Sequence, residues 1–147
     1  MTEIYFDTCS LSRLFDASSQ ERIRVEAAAV QRILTGEIVW IGSDMLVDEA
    51  MAIKDDEKRG SLLAMLDRVD KCVEVNPRIM ERAAEIVALG FGKKDAVHLA
   101  SAESARAKWL LTTDRAFVRL AKRFKRRLSV AVENPAEWVI RFLADED

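Results

Sequence analysis

Short apolar runs and helical repeats alternate along the chain. The apolar runs have the length of β-strands and mostly lack strict alternation, which is typical of strands buried on both faces. They are Ile4–Phe6, Ile38–Ile41, Cys72–Val75, Trp109–Leu111 and Leu128–Val132. The three helical sets between them are Ile23, Ala27, Val30 and Leu34; Leu62, Met65, Leu66 and Val69; and Ile79, Ala83, Ile86 and Val87. This alternation predicts an α/β sandwich around a mainly parallel sheet.

Capping residues mark the boundaries of several predicted helices. Ser43 precedes a helix predicted over Asp44–Ile53, and another helix is predicted over residues 95–108. Gly90-Phe91-Gly92 comes just before the second of these helices and indicates a hinge or a helix stop. A last helix opens at Asn134-Pro135, because asparagine is a good cap and proline suits the first helical turn.

Length and composition indicate one ordinary folded domain. A chain of 147 residues buries roughly 68–70% of its unfolded surface without disulfides, so one domain over residues 1–147 is expected. No apolar run approaches the ~20 residues of a membrane span, and the first residues lack a signal-peptide pattern. We therefore expect a cytoplasmic protein with no membrane segment. Cys9, Cys72 and the single His98 do not make a zinc set, and we expect both thiols to be reduced and packed.

Charge is spread unevenly, although the net charge is only −2. A net charge this small argues against a protein that coats nucleic acid non-specifically. Acidic residues gather at 55–57 and 145–147, whereas a basic run stands near the C-terminus: Lys122, Arg123, Lys125, Arg126 and Arg127. This basic run is either a solvated helix end or a surface that contacts RNA phosphates through Arg123, Arg126 and Arg127.

Glu49 has apolar neighbours on its predicted helix. The residues three and four positions away are Met45, Leu46, Ala52 and Ile53. This spacing places the carboxylate on the inward face of the helix, where an unpaired charge is costly. We therefore expect Glu49 to meet a bound cation or, alternatively, a buried arginine, whereas the adjacent Asp48 belongs to the outer face.

Three aspartates complete a set of four unusually placed acids. Asp7 and Asp114 each follow a predicted strand, and the carboxyl ends of parallel strands are where open α/β sheets usually form sites. Asp95 shares an inward helix face with His98, which we interpret as a packed, hydrogen-bonded histidine. Each aspartate also has a structural interpretation, Asp7 and Asp114 as helix caps and Asp95 as a first-turn acid. Together with Glu49 they predict one site for a hard divalent cation.

Four short segments carry these acids. They are Ile4-Tyr5-Phe6-Asp7-Thr8, the stretch from Ser43 to Glu49, Lys94-Asp95-Ala96-Val97-His98-Leu99-Ala100 and Leu111-Thr112-Thr113-Asp114-Arg115-Ala116-Phe117. In this order and at these separations, the chain resembles the PIN domain and, within that family, the VapC-type toxins of prokaryotic toxin–antitoxin pairs. The match spans nearly the whole sequence.

The resemblance implies a fold, an activity and partners. The implied fold is a three-layer α/β/α sandwich, and the implied activity is Mg²⁺- or Mn²⁺-dependent cleavage of RNA by an endoribonuclease. The implied partners are a second copy in a homodimer and a cognate antitoxin that blocks the site. Metal-site roles carry over to Asp7, Glu49, Asp95 and Asp114, and the polar residue before the last acid carries over to Thr113.

The chemistry of the acids is consistent with this implication and leaves two alternatives. A divalent ion held by carboxylates can activate water and offset charge on a scissile phosphate. We expect Asp7 and Asp95 to be the innermost ligands, with Glu49 and Asp114 completing the shell or orienting water. One alternative is a phosphatase that forms an aspartyl-phosphate, although such enzymes need a second aspartate where Cys9 stands. The other is a non-catalytic PIN-like module that binds RNA or a protein.

Overall fold

A five-stranded sheet lies between layers of helices in the computed structural model, which describes residues 1–16 and 18–143. The strands are β1 (Thr2–Phe6), β2 (Ile38–Ser43), β3 (Lys71–Val73), β4 (Trp109–Leu111) and β5 (Ala131–Glu133). The helices are α1 (Thr8–Ser12), α2 (Glu21–Leu34), α3 (Asp44–Met51), α4 (Asp56–Leu66), α5 (Pro77–Ala88), α6 (Lys93–Ser104), α7 (Arg115–Arg123) and α8 (Pro135–Phe142). Over these residues no helix is both long enough and apolar enough to cross a membrane. The acidic residues at 145–147 lie outside the described part.

The order of the strands creates a switch point beside β1. All neighbouring strands pair in parallel in the order β3-β2-β1-β4-β5, so the chain winds outward to β3 and returns across β1 to β4. Right-handed crossovers put the helices of the two halves on opposite faces of the sheet, which confirms the three-layer α/β/α sandwich. The carboxyl ends of β1 and β4 meet where the winding reverses, the position at which open α/β sheets form sites.

The core confirms the interpretation of the apolar runs as doubly buried strands. Ile4, Tyr5 and Phe6 are fully buried in the central strand, which leaves no solvent face that would require alternation. In the outer layer, Trp138 and Phe142 of α8 pack against Trp109, with ring centroids 6.4 Å and 5.1 Å away. Asn134 caps α8 as predicted, accepting a hydrogen bond from the N–H of Ala136 at 2.8 Å.

Several predicted elements end elsewhere than expected. The helix expected over Asp44–Ile53 ends at Met51, and the strand expected over Cys72–Val75 is Lys71–Val73. The helix expected over residues 95–108 ends at Ser104, because Arg106 adopts a left-handed conformation with φ of 59°. The strand expected over Leu128–Val132 is limited to Ala131–Glu133, because a 3-10 turn at Lys125–Arg127 delays the return to the sheet. A left-handed residue other than glycine has no simple sequence signal.

The prediction for the two cysteines was partly wrong. Both are free thiols, but Cys9 and Cys72 are exposed rather than packed. Cys9 lies on the outward face of the short helix α1, and Cys72 lies on the edge strand β3, where one flank of the strand has no neighbour. Neither position could be recognised from the apolar surroundings of the residue in the sequence.

Candidate active site

Asp7 and Asp114 stand at the carboxyl ends of the adjacent strands β1 and β4. Asp7 Oδ1 accepts a hydrogen bond from the N–H of Ser10 at 3.0 Å, and Asp114 Oδ1 accepts one from the N–H of Phe117 at 3.1 Å. The structure therefore confirms both as helix caps. Asp7 is buried and Asp114 is exposed. Because each of these backbone bonds uses one carboxylate oxygen, capping does not prevent either residue from binding a ligand.

Glu49 is held through one of its two oxygens. Thr8 Oγ1 donates to Glu49 Oε1 at 2.6 Å, and His98 Nε2 lies 2.6 Å from the same oxygen. Among the described residues no hydrogen bond reaches Oε2. The protein partner of Glu49 is thus a histidine and a threonine, not the arginine considered as an alternative. Its neighbour Asp48 is exposed, as predicted.

The hydrogen bonds to Glu49 continue into a buried chain of four side chains, Ser43–Tyr5–His98–Glu49. His98 Nδ1 lies 2.6 Å from Tyr5 Oη, which lies 2.7 Å from Ser43 Oγ. An ionised carboxylate only accepts, so His98 Nε2 donates to Glu49, and His98 Nδ1 shares the next hydrogen bond with Tyr5 Oη. This buried chain joins β1, β2, α3 and α6 and fixes the orientation of the Glu49 carboxylate.

Asp95 lies half-buried in the first turn of α6, among the other three acids. Burial and the negative charges of Asp7, Asp114 and Glu49 raise the pKa of Asp95 to about 6, while His98 acts in the opposite direction. The structural interpretation as a first-turn acid is correct, but a favourable helix N-terminus does not prevent this rise. The four predicted acids are therefore close enough to repel one another.

Asp7 and Glu49 respond differently to the same surroundings. Burial raises the pKa of Asp7, and hydrogen bonding from Thr112 together with the charge of His98 only reduces that rise. Burial also acts to raise the pKa of Glu49, but the hydrogen bond and charge of His98, followed by Thr8, outweigh it and lower the pKa. Of these two acids, Glu49 is the one held in its ionised form.

Cys9 stands at the mouth of the acidic cluster. Burial, and then the charges of Asp7, Asp114, Asp95 and Glu49, raise the pKa of its thiol to about 12. A thiol that stays protonated at neutral pH does not replace the acid–base aspartate of a phosphatase that forms an aspartyl-phosphate. The phosphatase alternative therefore loses its chemical basis.

A cleft of about 800 Å³ opens at Glu49 and Asp114, whereas Asp7 and Asp95 do not line it. Glu49 and Asp114 line it together with Thr8, Cys9 and Thr113, the last of which is 3% exposed. Five basic side chains share its walls: Arg13, Arg22, Lys58, Lys94 and Arg115. The cleft combines hard oxygen donors with cations, which suits a metal ion and a phosphate ligand.

The donor set fits a hard cation that keeps part of its water shell. Within residues 1–16 and 18–143, no three carboxylate, thiol or imidazole groups are arranged to hold a metal ion by themselves. Mg²⁺ binds through one or two carboxylates and retains several waters, so such a cage is not required. The repulsion that raises the pKa of Asp95 is the interaction that a bound divalent ion would relieve.

The basic run lies away from the cleft. The N–H of Ser129, just beyond the run, donates to Glu103 at 2.8 Å, and Arg82 donates to the carbonyl of Arg127 at 2.6 Å. Glu103 is in the last turn of α6, about 12 Å along the helix from Asp95 at 1.5 Å per residue. Arg127 lies near this opposite end of α6. Arg123, Arg126 and Arg127 are all exposed and do not line the cleft.

Two further buried acids, Glu26 and Glu133, were not predicted from the sequence. Glu26 binds the side chains of Arg13 at 2.9 Å and Asn134 at 2.8 Å, and Glu133 binds Lys122 at 2.8 Å. These partners give both acids a structural role. Glu26 has Ile23, Ala29 and Val30 among its helical neighbours, so the spacing argument used for Glu49 could also have found it.

Comparisons with known proteins agree with the fold. The sequence profile of the PIN domain matches residues 4–123. The chain belongs to the PIN-domain family. A search among curated proteins gives no significant match to this PIN domain.

Several solved structures share the fold of this PIN domain. FitAcB from Neisseria gonorrhoeae is 18% identical with a TM-score of 0.59, and the match covers 90% of this chain and 97% of that chain. VapC20 from Mycobacterium tuberculosis, described as a sarcin–ricin loop cleaving toxin, is 17% identical with a TM-score of 0.63 and coverages of 79% and 93%. VapBC2 from Rickettsia felis, bound to a DNA fragment from their promoter, is 17% identical with a TM-score of 0.59 and coverages of 90% and 98%.

Proposed function

We propose that this PIN domain is a Mg²⁺- or Mn²⁺-dependent endoribonuclease and the toxin of a toxin–antitoxin pair. The observation that carries the proposal is the meeting of four acids from separate segments at the switch point of the sheet: Asp7, Glu49, Asp95 and Asp114. Membership of the PIN-domain family supports nuclease chemistry. RNA as the substrate is supported by the description of the structurally similar VapC20 as a sarcin–ricin loop cleaving toxin.

The side chains have distinct parts in this proposal. A bound divalent ion supplies a more acidic water and positive charge beside the scissile phosphate. Asp7 and Asp95 are the residues that hold the ion. Glu49, fixed through Oε1, uses its free Oε2 to orient the attacking water, and Asp114 completes the site with the oxygen that does not cap α7. Thr113 contributes a hydroxyl to the same wall of the cleft.

Cleavage of RNA in the presence of Mg²⁺, Mn²⁺ or EDTA tests the proposal directly. We expect cleavage with either ion and none with EDTA. Asp7→Asn should lose cleavage without unfolding, because asparagine caps a helix about as well as aspartate. Asp48→Asn is the matched control, since Asp48 is an exposed acid beside Glu49, and it should cut like wild type. Cleavage in EDTA, or by the Asp7 variant, would refute the proposed site.

The alternative of a non-catalytic PIN-like module has less support than the nuclease. All four acids are present, and Glu49 is held in its ionised form by two hydrogen bonds. The same assay separates the two functions. Binding of RNA without cleavage under every metal condition would favour the binding module.

Partners belong to the same proposal, because a toxin has to be silenced in its own host. We expect a cognate antitoxin to cover the cleft, a homodimer in solution and a cytoplasmic location. Co-expression with the product of an adjacent small gene should give a stable complex without nuclease activity. If the protein expressed alone is harmless and purified protein cuts no RNA, the toxin assignment fails.

A further inference from the structure

Two cations of the cleft, Lys94 and Arg115, have no ion-pair partner among the described residues. Lys94 and Arg115 are both exposed. The other cations of the cleft are engaged: Arg13 with Glu26 at 2.9 Å, Lys58 with Asp16 at 2.8 Å and Arg22 with Glu26 at 3.7 Å. Lys94 and Arg115 are therefore the cations that can bind a ligand without first breaking an ion pair.

Both residues lie at the N-terminus of a helix, where a positively charged side chain is unfavourable. Lys94 is in the first turn of α6 and Arg115 is the first residue of α7. The N-terminus of a helix carries partial positive charge, so a basic residue there opposes the helix dipole. Helix stability explains neither position. Neither residue forms an ion pair within the described residues, although the charge of Lys94 helps to lower the pKa of Glu49. An external anion would account for both.

Each cation is also the sequence neighbour of an acid of the site. Lys94 precedes Asp95, and Arg115 follows Asp114. Four carboxylates would repel a polyanion, and a divalent ion offsets only half of their charge. Lys94 and Arg115, at the same cleft, supply the positive charge that offsets the other half of the carboxylate charge.

Resting on the proposed nuclease function, we propose that Lys94 and Arg115 bind the RNA phosphates that flank the scissile bond. The two contacts hold the strand across the carboxylates, so these residues position the substrate. The guanidinium of Arg115 offers two parallel donors to one phosphate, whereas the ammonium of Lys94 acts as a point charge. The site thus reads the sugar–phosphate backbone and not the bases.

The test measures binding of a short RNA, of about six nucleotides, as a function of salt. Binding is measured with Mg²⁺ in a Glu49→Gln background, so that the RNA stays intact. We expect the double variant Lys94→Ala/Arg115→Ala to bind more weakly and to flatten the salt slope by about 1.4, since each lost phosphate contact removes about 0.7 on single strands. Arg115→Lys should retain part of the slope.

The charge-matched control is Arg24→Ala/Lys108→Ala. Arg24 and Lys108 are exposed, have no ion pair within the described residues and do not line the cleft. We expect this control to keep the salt slope and affinity of the parent. Thermal unfolding with Mg²⁺ gives a second readout, in which the Lys94/Arg115 variant should melt close to the control. The relief of two helix N-termini from a cation opposes the loss of attraction to the site acids.

Three results would overturn the inference. Equal losses of RNA affinity in the two double variants would show that binding depends only on the overall positive charge. An unchanged salt slope in the Lys94/Arg115 variant would show that these two side chains are merely solvated. A clearly lower melting temperature of that variant would show that they have a structural role. The cleavage assay on wild type decides the proposed function separately. If wild type cuts RNA while the double variant binds like its parent, only this inference fails.

Discussion

A carboxylate has two oxygens, and three of the four site acids each use one oxygen in hydrogen bonds that hold the fold. Asp7 and Asp114 each give Oδ1 to a backbone N–H of the helix that follows, and Glu49 gives Oε1 to Thr8 and His98. These bonds fix the carboxylates in place, and fixed groups lose less entropy when they bind an ion. A structural cap and a metal ligand are therefore compatible roles for one aspartate.

The raised pKa of Asp95 predicts in which direction stability changes when this carboxylate is removed. Its pKa is raised from 3.8 to about 6, so its ionised form costs stability above pH 6. As pH falls from about 6 towards 3.8, the folded protein takes up a proton that the unfolded chain does not, and this cost disappears. In EDTA, Asp95→Asn should therefore melt higher than wild type at neutral pH and equally at acid pH, while RNA cleavage is lost. Thermal unfolding at both pH values measures the difference.

Glu26→Gln is the contrasting variant, because Glu26 is buried but paired. Loss of its charge leaves Arg13 without this counter-charge and should destabilise the protein on the order of 3 kcal/mol. The folded fraction should still cut RNA, since Glu26 is not one of the four site acids. If Asp95→Asn instead melts lower at neutral pH and still cuts RNA, Asp95 is part of the architecture and not of the site.

The reactivity of Cys9 tests whether the four acids are clustered, and Cys72 is an internal reference in the same protein. Burial and the four site acids raise the pKa of Cys9, whereas burial and Asp44 raise the pKa of Cys72. Asp114→Asn removes one nearby negative charge and should increase the alkylation rate of Cys9 several-fold, because more thiolate forms. Cys72 should react at its original rate. Iodoacetamide labelling followed by mass spectrometry measures both in one sample, and equal changes at the two cysteines would contradict the clustering.

At the scale of the elements, the buried chain Ser43–Tyr5–His98–Glu49 makes two strands and two helices act together on one carboxylate. The hydroxyl of Tyr5 sits in the middle of it, within 2.7 Å of both neighbours. Tyr5→Phe should cost about 1–3 kcal/mol, because it leaves buried polar atoms of His98 and Ser43 without a partner. The turnover number should fall more than the KM rises, since Glu49 is reoriented while the cations of the cleft remain.

Ser101→Ala is the control for this variant. Ser101 lies on α6, the helix of His98, and its buried hydroxyl makes no hydrogen bond to the described residues. Its removal should leave stability and turnover nearly unchanged. Equal effects of Tyr5→Phe and Ser101→Ala would show that the buried chain does not orient Glu49.

Sequence patterns predicted the elements and the acids because both depend on neighbours in the same segment. The placement of Glu49 followed from apolar residues three and four positions away, and the cap at Asn134 followed from one dipeptide. The buried chain could not be predicted, because Tyr5 meets partners 38 and 93 residues away. An all-apolar strand gives no sign that one of its side chains carries a functional hydroxyl.

At the scale of the whole molecule, basic charge is divided between two surfaces. The cleft carries Lys94 and Arg115 beside the acids, and the basic run lies outside the cleft, with Arg127 near the far end of α6. The net charge of −2 hides both surfaces. Only an RNA longer than the cleft can reach the basic run, so the two surfaces should respond differently to the length of the RNA.

The last prediction uses this difference. Replacing Arg123, Arg126 and Arg127 together with alanine should weaken binding of a long RNA and flatten its salt slope by up to about 2, because as many as three phosphate contacts are lost at about 0.7 each. Binding of an RNA of about six nucleotides, which fills only the cleft, should not change. The long and short RNAs are compared by titration at several salt concentrations, with Arg24→Ala/Lys108→Ala as the control for general loss of positive charge. A triple variant that binds both RNAs like wild type would assign the basic run to solvent, and one that loses the short RNA as well would mean that the substrate crosses the protein by another route.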